Sequence, residues 1–390
     1  VREGDMQAAA DVVNDFFCTP SSQNRICPAF CEQACVIGKS GDPVQILNTK
    51  RFLSDNYTKP ASFYHRGELT HKKIAVIGSG PAGLTAAHEL ARLGHDVRVF
   101  DMQMLGGMLA VGIPEYRLDN NLLHKEIKEL EKLGIEFEVG KVYGKDYNHE
   151  DLFKVGYEAV VLAIGAHKPK FMNVMGSTLK GSIHAIEYLR DVAQGKEVDL
   201  GKKVIVIGGG DVAIDAVRVA HRMGVDAQIV YRRSKEEMPA TKHEIHATEE
   251  ENIPINFLTN PIGIIGDGNK VTHVKLVKMQ LGEPDDSGRR RPEEIPGSEY
   301  VIPVDTVIHA ISQEPDVKEI KKDGFEMTRW NTFEVDGTTF MTNIEGVYAI
   351  GDDVSGPRTA VEAINHGKQA AIEIDKFLKK EKIEADMMTN

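Results

Sequence analysis

The 390-residue chain predicts an α/β fold built on two parallel-sheet units, one interrupted by the other, behind a helical N-terminal region that holds every cysteine. Three observations predict it. A glycine-rich strand-to-helix signature occurs twice, at residues 73–83 and 203–213. Apolar strands running into a turn recur at 159–166, 306–311 and 346–353, one more than two uninterrupted units need. The only cysteines are Cys18, Cys27, Cys31 and Cys35. The boundaries expected are residues 1–71 for the N-terminal region, 72–199 with 313–390 for the first unit, and 200–312 for the second.

In the first copy, Lys73 to Ile77 reads as a buried parallel strand because it is almost continuously apolar. Gly78 permits the tight turn, Gly80 lets the backbone approach a pyrophosphate, and Gly83 lets the next helix, expected over Leu84 to Leu93, pack on the strand. The helix N-terminus presents free N–H groups and a positive dipole end to phosphates. About twenty residues on, Val99-Phe100-Asp101 ends the next strand with a carboxylate able to accept from a ribose diol.

The second copy repeats Gly208 and Gly210 and has Ala213 at the third position, a replacement the fingerprint tolerates. Its next strand ends in Tyr231-Arg232-Arg233, so no acid stands opposite the ribose. A carboxylate there would repel a 2′-phosphate, whereas guanidinium groups bind one through charge-assisted bonds. The spacing therefore favours NADP(H), with surface arginines and NAD(H) as the alternative. Two unlike nucleotide sites on one chain make sense mainly if electrons pass between them.

With 47 basic and 59 acidic residues the net charge is −12, which disfavours a nucleic-acid partner because that role needs a basic stripe. No apolar run approaches the roughly eighteen residues of a membrane span. The polar start, Val1-Arg2-Glu3-Gly4-Asp5, is unlike a secretory signal, so a cytoplasmic location is expected. Apolar spacing predicts a helix over Met6 to Phe17, and a last helix over about Thr359 to Phe377.

These stretches also carry a resemblance. Gly106-Gly107-Met108-Leu109 with Gly112 to Leu118, Gly208-Gly209-Gly210-Asp211, Tyr231-Arg232-Arg233 with Met238-Pro239-Ala240, and Gly351-Asp352-Asp353 with Val361-Glu362-Ala363-Ile364 resemble the glutamate synthase small-subunit family. So do Leu281 to Pro284 with Ser287 to Pro292. Relatives include the large subunit of NADH-dependent ferredoxin:NADP oxidoreductase and flavin subunits of iron–sulfur and tungsten enzymes.

The resemblance implies two Rossmann-like domains of the thioredoxin/glutathione reductase type, the NAD(P) domain inserted in the FAD domain. It places FAD on Gly78, Gly80, Pro81, Ala82, Gly83 and Asp101, with Gly107, Met108, Leu109, Arg117, Ala163, Gly165, Gly351, Asp352, Thr359 and Ala360 around the rest of the molecule. NADP(H) or NAD(H) would use Gly208, Gly210, Asp211, Val212 and Ala213, with Arg232 and Arg233 at the 2′ position. Ser312 departs from the glycine usual in relatives, which puts the local turn geometry in question. Hydride exchange between nicotinamide and flavin needs positioning and electrostatic tuning, so no catalytic acid, base or nucleophile is nominated.

The spacing of Cys27, Cys31 and Cys35 would put the three thiols about 40° apart on one face if the segment is helical. With Cys18 they are candidate ligands of one 4Fe–4S cluster, shared ligation or loss of the cluster being the alternative. The family implies an iron–sulfur partner subunit and a hetero-oligomer. The glutamate synthase small subunit proper is an alternative, as is a sensing module without turnover. A disulfide reductase is disfavoured because no cysteine follows Cys35. His243 and His246 read as a solvated helix face rather than a metal site, and Arg289-Arg290-Arg291 as an exposed hairpin, a docking patch for a partner or for the nucleotide phosphate being the alternative.

Overall fold

The computed structural model describes residues 1–285 and 288–389, with side chains to residue 380. Helices α1 (Met6–Phe16), α2 (Pro20–Ile26) and α3 (Ile46–Asn56) come first. Then follow β1 (Lys73–Ile77), α4 (Pro81–Arg92), β2 (Asp96–Asp101), α5 (Asn120–Leu130), β3 (Glu136–Val139) and β4 (Ala159–Leu162). Next come β5 (Ser182–His184), α6 (Ala185–Ala193), β6 (Lys203–Ile207), α7 (Asp211–Arg222), β7 (Asp226–Val230), α8 (Lys242–Glu250) and β8 (Ile255–Asn256). Strands β9 (Thr259–Asp267), β10 (Lys270–Pro284), β11 (Arg290–Glu294), β12 (Tyr300–Pro303), β13 (Thr306–His309) and β14 (Val347–Ala349) lead to the last helix, α9 (Ala360–Thr389).

The chain divides into two compact units, the first made of residues 1–110, 115–168 and 314–390, the second of 111–114 and 169–313. The first holds a five-stranded parallel sheet in the order β14-β4-β1-β2-β3. Apolar runs buried on both faces, such as Ile74–Ile77 and Ala159–Leu162, suit a sheet covered by helices. Neighbouring strands β1 and β4 lead away in opposite directions across the sheet, and a crevice opens at such a switch point. Helix α4 begins at Pro81, three residues earlier than the sequence pattern suggests, because proline suits the first helical position.

The N-terminal helices belong to the first unit. Glu126 of α5, 4% exposed, accepts hydrogen bonds from Ser21 N (2.8 Å), Ser22 N (2.9 Å) and Ser22 Oγ (2.7 Å) at the start of α2. A carboxylate at a helix N-terminus satisfies amides that have no intrahelical acceptor.

The second unit repeats the pattern with the parallel order β5-β13-β6-β7-β8. An antiparallel layer of β9, β10, β11 and β12 covers it, with Val271, Val274 and Leu276 packed on Ile205, Ile207 and Val307. The boundary expected at 199/200 falls instead at 168/169. Segment 169–199 belongs with the second unit because β5 pairs with β13, Ser182 opposite Val307 and His184 opposite His309. Among the described residues no helix is long and apolar enough to cross a membrane.

Candidate functional site

The first glycine loop is built by close approach at three glycines and an opening at a fourth. A Cβ on Gly78 would lie 2.2 Å from Ala163 O, and one on Gly83 2.0 Å from Gly78 O. Gly107, at φ +56°, would bring a Cβ within 2.8 Å of Gly80 Cα. At Gly80 a Cβ would meet nothing within 4 Å. That side of Gly80 is therefore free for a ligand. The N–H groups of Gly80, Ala82 and Gly83 have no backbone acceptor, Pro81 has none to offer, and the first turn of α4 is left to bind an anion.

Asp101, half-buried at the end of β2, accepts on Oδ2 from Ser79 N (2.9 Å) and Ser79 Oγ (2.6 Å), and on Oδ1 from Gln103 N (3.1 Å). Ser79 Oγ in turn accepts from Gly106 N at 2.9 Å. Asp101 thus fixes the glycine loop. Beyond the strand, Met108 opens a one-turn helix (Met108–Val111) and is half-buried, as is Arg117 after it, whereas Leu109 is 2% exposed and its side chain fills the core.

A second loop meets this crevice from the end of β14. Gly351, at φ +79°, donates its N–H to His366 Nδ1 on α9 at 3.1 Å. Asp352 accepts from Arg358 N at 3.2 Å, and burial pushes its carboxyl up to about 6. Asp353 is wholly buried; burial first, then the neighbouring Asp352 charge, lifts it well above the usual range. Its Oδ2 accepts from Ile164 N at 3.1 Å, and its Oδ1 has no hydrogen-bond partner. Gly165 takes φ +67° just beyond.

Thr359 and Glu362 form a reciprocal cap on α9, with Thr359 Oγ1 donating to Glu362 Oε2 (2.8 Å) and Glu362 N donating to Thr359 Oγ1 (3.4 Å). Ala360 then opens the helix. Sequence reasoning missed Ser79, His366 and Gly367. A Cβ on Gly367 would stand 2.5 Å from Ala82 O, so this glycine lets α9 lie against α4. The T-x-x-E cap was the available local signal; the others act over long separations.

In the second loop a Cβ on Gly208 would lie 2.4 Å from Ala310 O, while Gly210 meets only Pro239 Cγ at 3.8 Å. The amides of Gly210, Asp211 and Val212 have no backbone acceptor at the start of α7, and Ala213 is fully buried. Asp211 Oδ1 accepts from Thr241 N at 3.0 Å. Gly209 is glycine because the Tyr231 ring occupies its side-chain position, 2.4 Å from where a Cβ would be. Arg232 is exposed, but Arg233 is not beside it at the surface. Arg233 is 4% exposed and donates to Arg290 O (2.8 Å) and Asp285 Oδ2 (2.5 Å). The expectation that both arginines face the 2′ position is corrected: an ion pair holds Arg233 inside.

The four cysteines are not brought together. Cys18 is 2% exposed with Sγ 3.5 Å from Thr85 Oγ1 on α4, and burial raises its thiol pKa. Cys27, Cys31 and Cys35 do not share a helical face either. Pro28 follows Cys27, Ala29 is left-handed at φ +52°, and only Phe30–Gln33 is helical, ending before Cys35. Cys35 is instead held below its usual range by backbone amides of Val44, Gly38 and Ile37, the kind of donor set that stabilises a thiolate. Among the described residues no group of three or more His, Cys, Asp or Glu side chains forms a metal cage. The proposed four-cysteine ligand set does not fit this arrangement, because Cys18 is a core thiol. His243 and His246 are exposed on α8, as expected.

The comparisons agree with the two-loop architecture. A family model described as pyridine nucleotide-disulphide oxidoreductase matches residues 72–367, and one described as dihydropyrimidine dehydrogenase domain II, 4Fe-4S cluster, matches residues 1–61. The NADPH-Fe(3+) oxidoreductase subunit beta of Geobacter sulfurreducens is 38% identical over 98% of this chain and 61% of its own length. The NADPH glutamate synthase small chain of Azospirillum brasilense is 34% identical over 97% of this chain and 82% of its own. The chain thus spans about three-fifths of the length of the first of these. The solved structure of FprA, a Mycobacterium tuberculosis oxidoreductase, shares the fold with a TM-score of 0.69 at 20% identity, covering 81% of this chain and 86% of that one. Both glycine loops lie inside the 72–367 match, and the chain belongs to the pyridine nucleotide-disulphide oxidoreductase family, with the glutamate synthase small chains among its relatives.

Proposed function

We propose that this chain is the flavoprotein subunit of an electron-transfer complex, exchanging hydride between NADPH and FAD and single electrons with iron–sulfur centres of a partner subunit. One observation carries the reading: two glycine loops leave open the side of Gly80 and of Gly210 where a pyrophosphate approaches, and only the first is followed by an acid at the ribose position. The Geobacter relative is itself named as the beta subunit of an NADPH-Fe(3+) oxidoreductase. All four cysteines are free thiols, which suits a reducing, cytoplasmic compartment.

FAD, when bound, supplies two-electron exchange with a nicotinamide and one-electron exchange with metal centres. The chain would supply the rest. Gly78, Gly80, Pro81, Ala82 and Gly83 would cradle the pyrophosphate, with Asp101 and the buried Asp352 accepting from hydroxyls. Gly107, Met108, Ala163, Gly165 and Gly351 would line the approach, and α9, opened by Thr359 and Ala360, would direct its positive end at the ring system. Gly208, Gly210, Asp211, Val212 and Ala213 would hold the second dinucleotide.

The test is an anaerobic titration of the purified yellow protein with NADPH and NADH, followed by turnover with an artificial acceptor. Bleaching by NADPH in preference to NADH is expected. A colourless protein that takes up no flavin, or flavin unmoved by either donor, would overturn the reading. An associated glutamine-dependent subunit would identify the glutamate synthase variant of this role.

A further inference from the structure

The turn after β14 is pinned at each of its first three residues, and a proton can cancel one of the pins. Gly351 O accepts from Val354 N and Ser355 N, both at 3.1 Å. Asp352 accepts from Arg358 N, Asp353 Oδ2 from Ile164 N, and Asp353 O from Phe333 N at 2.8 Å. Gly351 N donates to His366 Nδ1 at 3.1 Å. A Cβ on Gly351 would stand 3.0 Å from Ala82 Cβ and 4.0 Å from Ala363 Cβ, so this residue lies against the first turn of α4 and the start of α9 at once. A shift of Gly351 is therefore felt by the first glycine loop as well as by Asp352.

The acceptors differ in what protonation does to them. A backbone carbonyl does not titrate, and a carboxylic acid keeps lone pairs with which to accept after it takes a proton. An imidazole nitrogen has one lone pair, and a proton there turns the acceptor into a second donor facing the Gly351 N–H. With Nδ1 accepting, the neutral ring carries its hydrogen on Nε2. His366 is half-buried, and Phe340 packs on its ring with centroids 4.9 Å apart. The charges around it are Glu362, one turn back on α9, and Arg358, which pair with each other at 3.1 Å. From α4, Glu89 is taken by Lys368, and within the turn Asp352 and Asp353 are turned to backbone amides. Burial holds His366 below the usual histidine range, with Glu362 opposing and Arg358 assisting. Near neutral pH the ring is thus in the form that accepts from Gly351.

We infer that His366 is a positioning residue for the flavin: its neutral ring holds the Gly351–Asp352 turn in the shape that receives the cofactor, and a proton on Nδ1 releases that turn, so that flavin affinity falls in acid through this one histidine. His366 acts through the Gly351 amide. This inference rests on the proposed flavin site.

The experiment is fluorescence titration of the flavin-free full chain with FAD between pH 8 and pH 5, for wild type, His366→Asn and His366→Ala, with thermal unfolding at each pH to check folding. The asparagine amide oxygen accepts a hydrogen bond and does not titrate. The wild-type Kd should be level above about pH 7 and rise by about tenfold toward pH 5, the effect of one proton over about one pH unit. Asp352, whose carboxyl sits at about 6, is common to all three proteins, so its own titration drops out of the comparison. His366→Asn should bind as wild type does at pH 8 and lose most of the rise in acid. His366→Ala should bind about fivefold more weakly at pH 8, the scale of one lost hydrogen bond. A wild-type Kd that does not move with pH, a rise as steep in His366→Asn as in wild type, an alanine variant as tight as wild type at pH 8, or an asparagine variant no tighter than the alanine one would overturn the inference. No flavin uptake by wild type at pH 8 would instead overturn the flavin site on which it rests.

Discussion

Replacing Gly80 and Gly83 separately by alanine should divide ligand binding from folding. At Gly80 the backbone has φ −71°, which alanine adopts, and the added Cβ meets no protein atom within 4 Å. Gly80→Ala should leave the flavin-free protein as stable as wild type or about 0.4–1 kcal/mol more stable, because the unfolded chain loses freedom. The same methyl would occupy the space through which a pyrophosphate approaches. At Gly83 the Cβ falls 2.0 Å from Gly78 O, so α4 must retreat by about 1.4 Å to restore ordinary contact. Alanine gains about 1 kcal/mol of helix propensity there, against the roughly 1–3 kcal/mol of overpacking, so a net loss of up to about 2 kcal/mol is expected. The assay is urea unfolding of each flavin-free protein beside its flavin-to-protein ratio. Gly80→Ala that retains full flavin, or that unfolds earlier than Gly83→Ala, would refute the reasoning.

Asp352 predicts a pH dependence of flavin-free stability. Its carboxyl sits at about 6 against an ordinary 3.8, so the stability it contributes is present below about pH 4 and is lost as pH rises through 6. The shift corresponds to about 3 kcal/mol between those limits. Asp352→Asn should therefore gain on wild type by about that amount from pH 4 to pH 7 in urea unfolding; a constant difference would contradict it. Ser312 stands at φ +114°, a conformation that costs a non-glycine residue about 1–3 kcal/mol. Ser312→Gly should raise the thermal midpoint, even after about 0.4–1 kcal/mol of extra unfolded-chain entropy, and a lowered midpoint would show that the serine is unstrained.

Both glycine loops were legible in the sequence because a fingerprint is local: strand, glycines and helix follow one another within about a dozen residues. The serine at 312 was also a local signal, and it marks a strained turn. Pairing over distance was not legible. Strand β5 has three residues and no motif, so nothing in 169–199 announces that it will join β13. Arg233 looks identical to Arg232 until Asp285 arrives to bury it. The cysteine spacing suggested a helical face, but Pro28 and the left-handed Ala29 interrupt the helix. Cys18 is drawn away by packing against Thr85, 67 residues on.

The sheet edges have a consequence for biosynthesis. Strand β5, made before the second glycine loop, borders the inner sheet, so every strand of that sheet has been synthesised once residue 309 leaves the ribosome. The outer sheet instead waits for β14 at residues 347–349, leaving β4 with an unpaired backbone edge on the nascent chain for some 180 residues of elongation. Exposed edges of that kind recruit foreign strands. The inner unit is thus able to close first, while the outer one depends during translation on chaperone cover or on the late arrival of its own last strand.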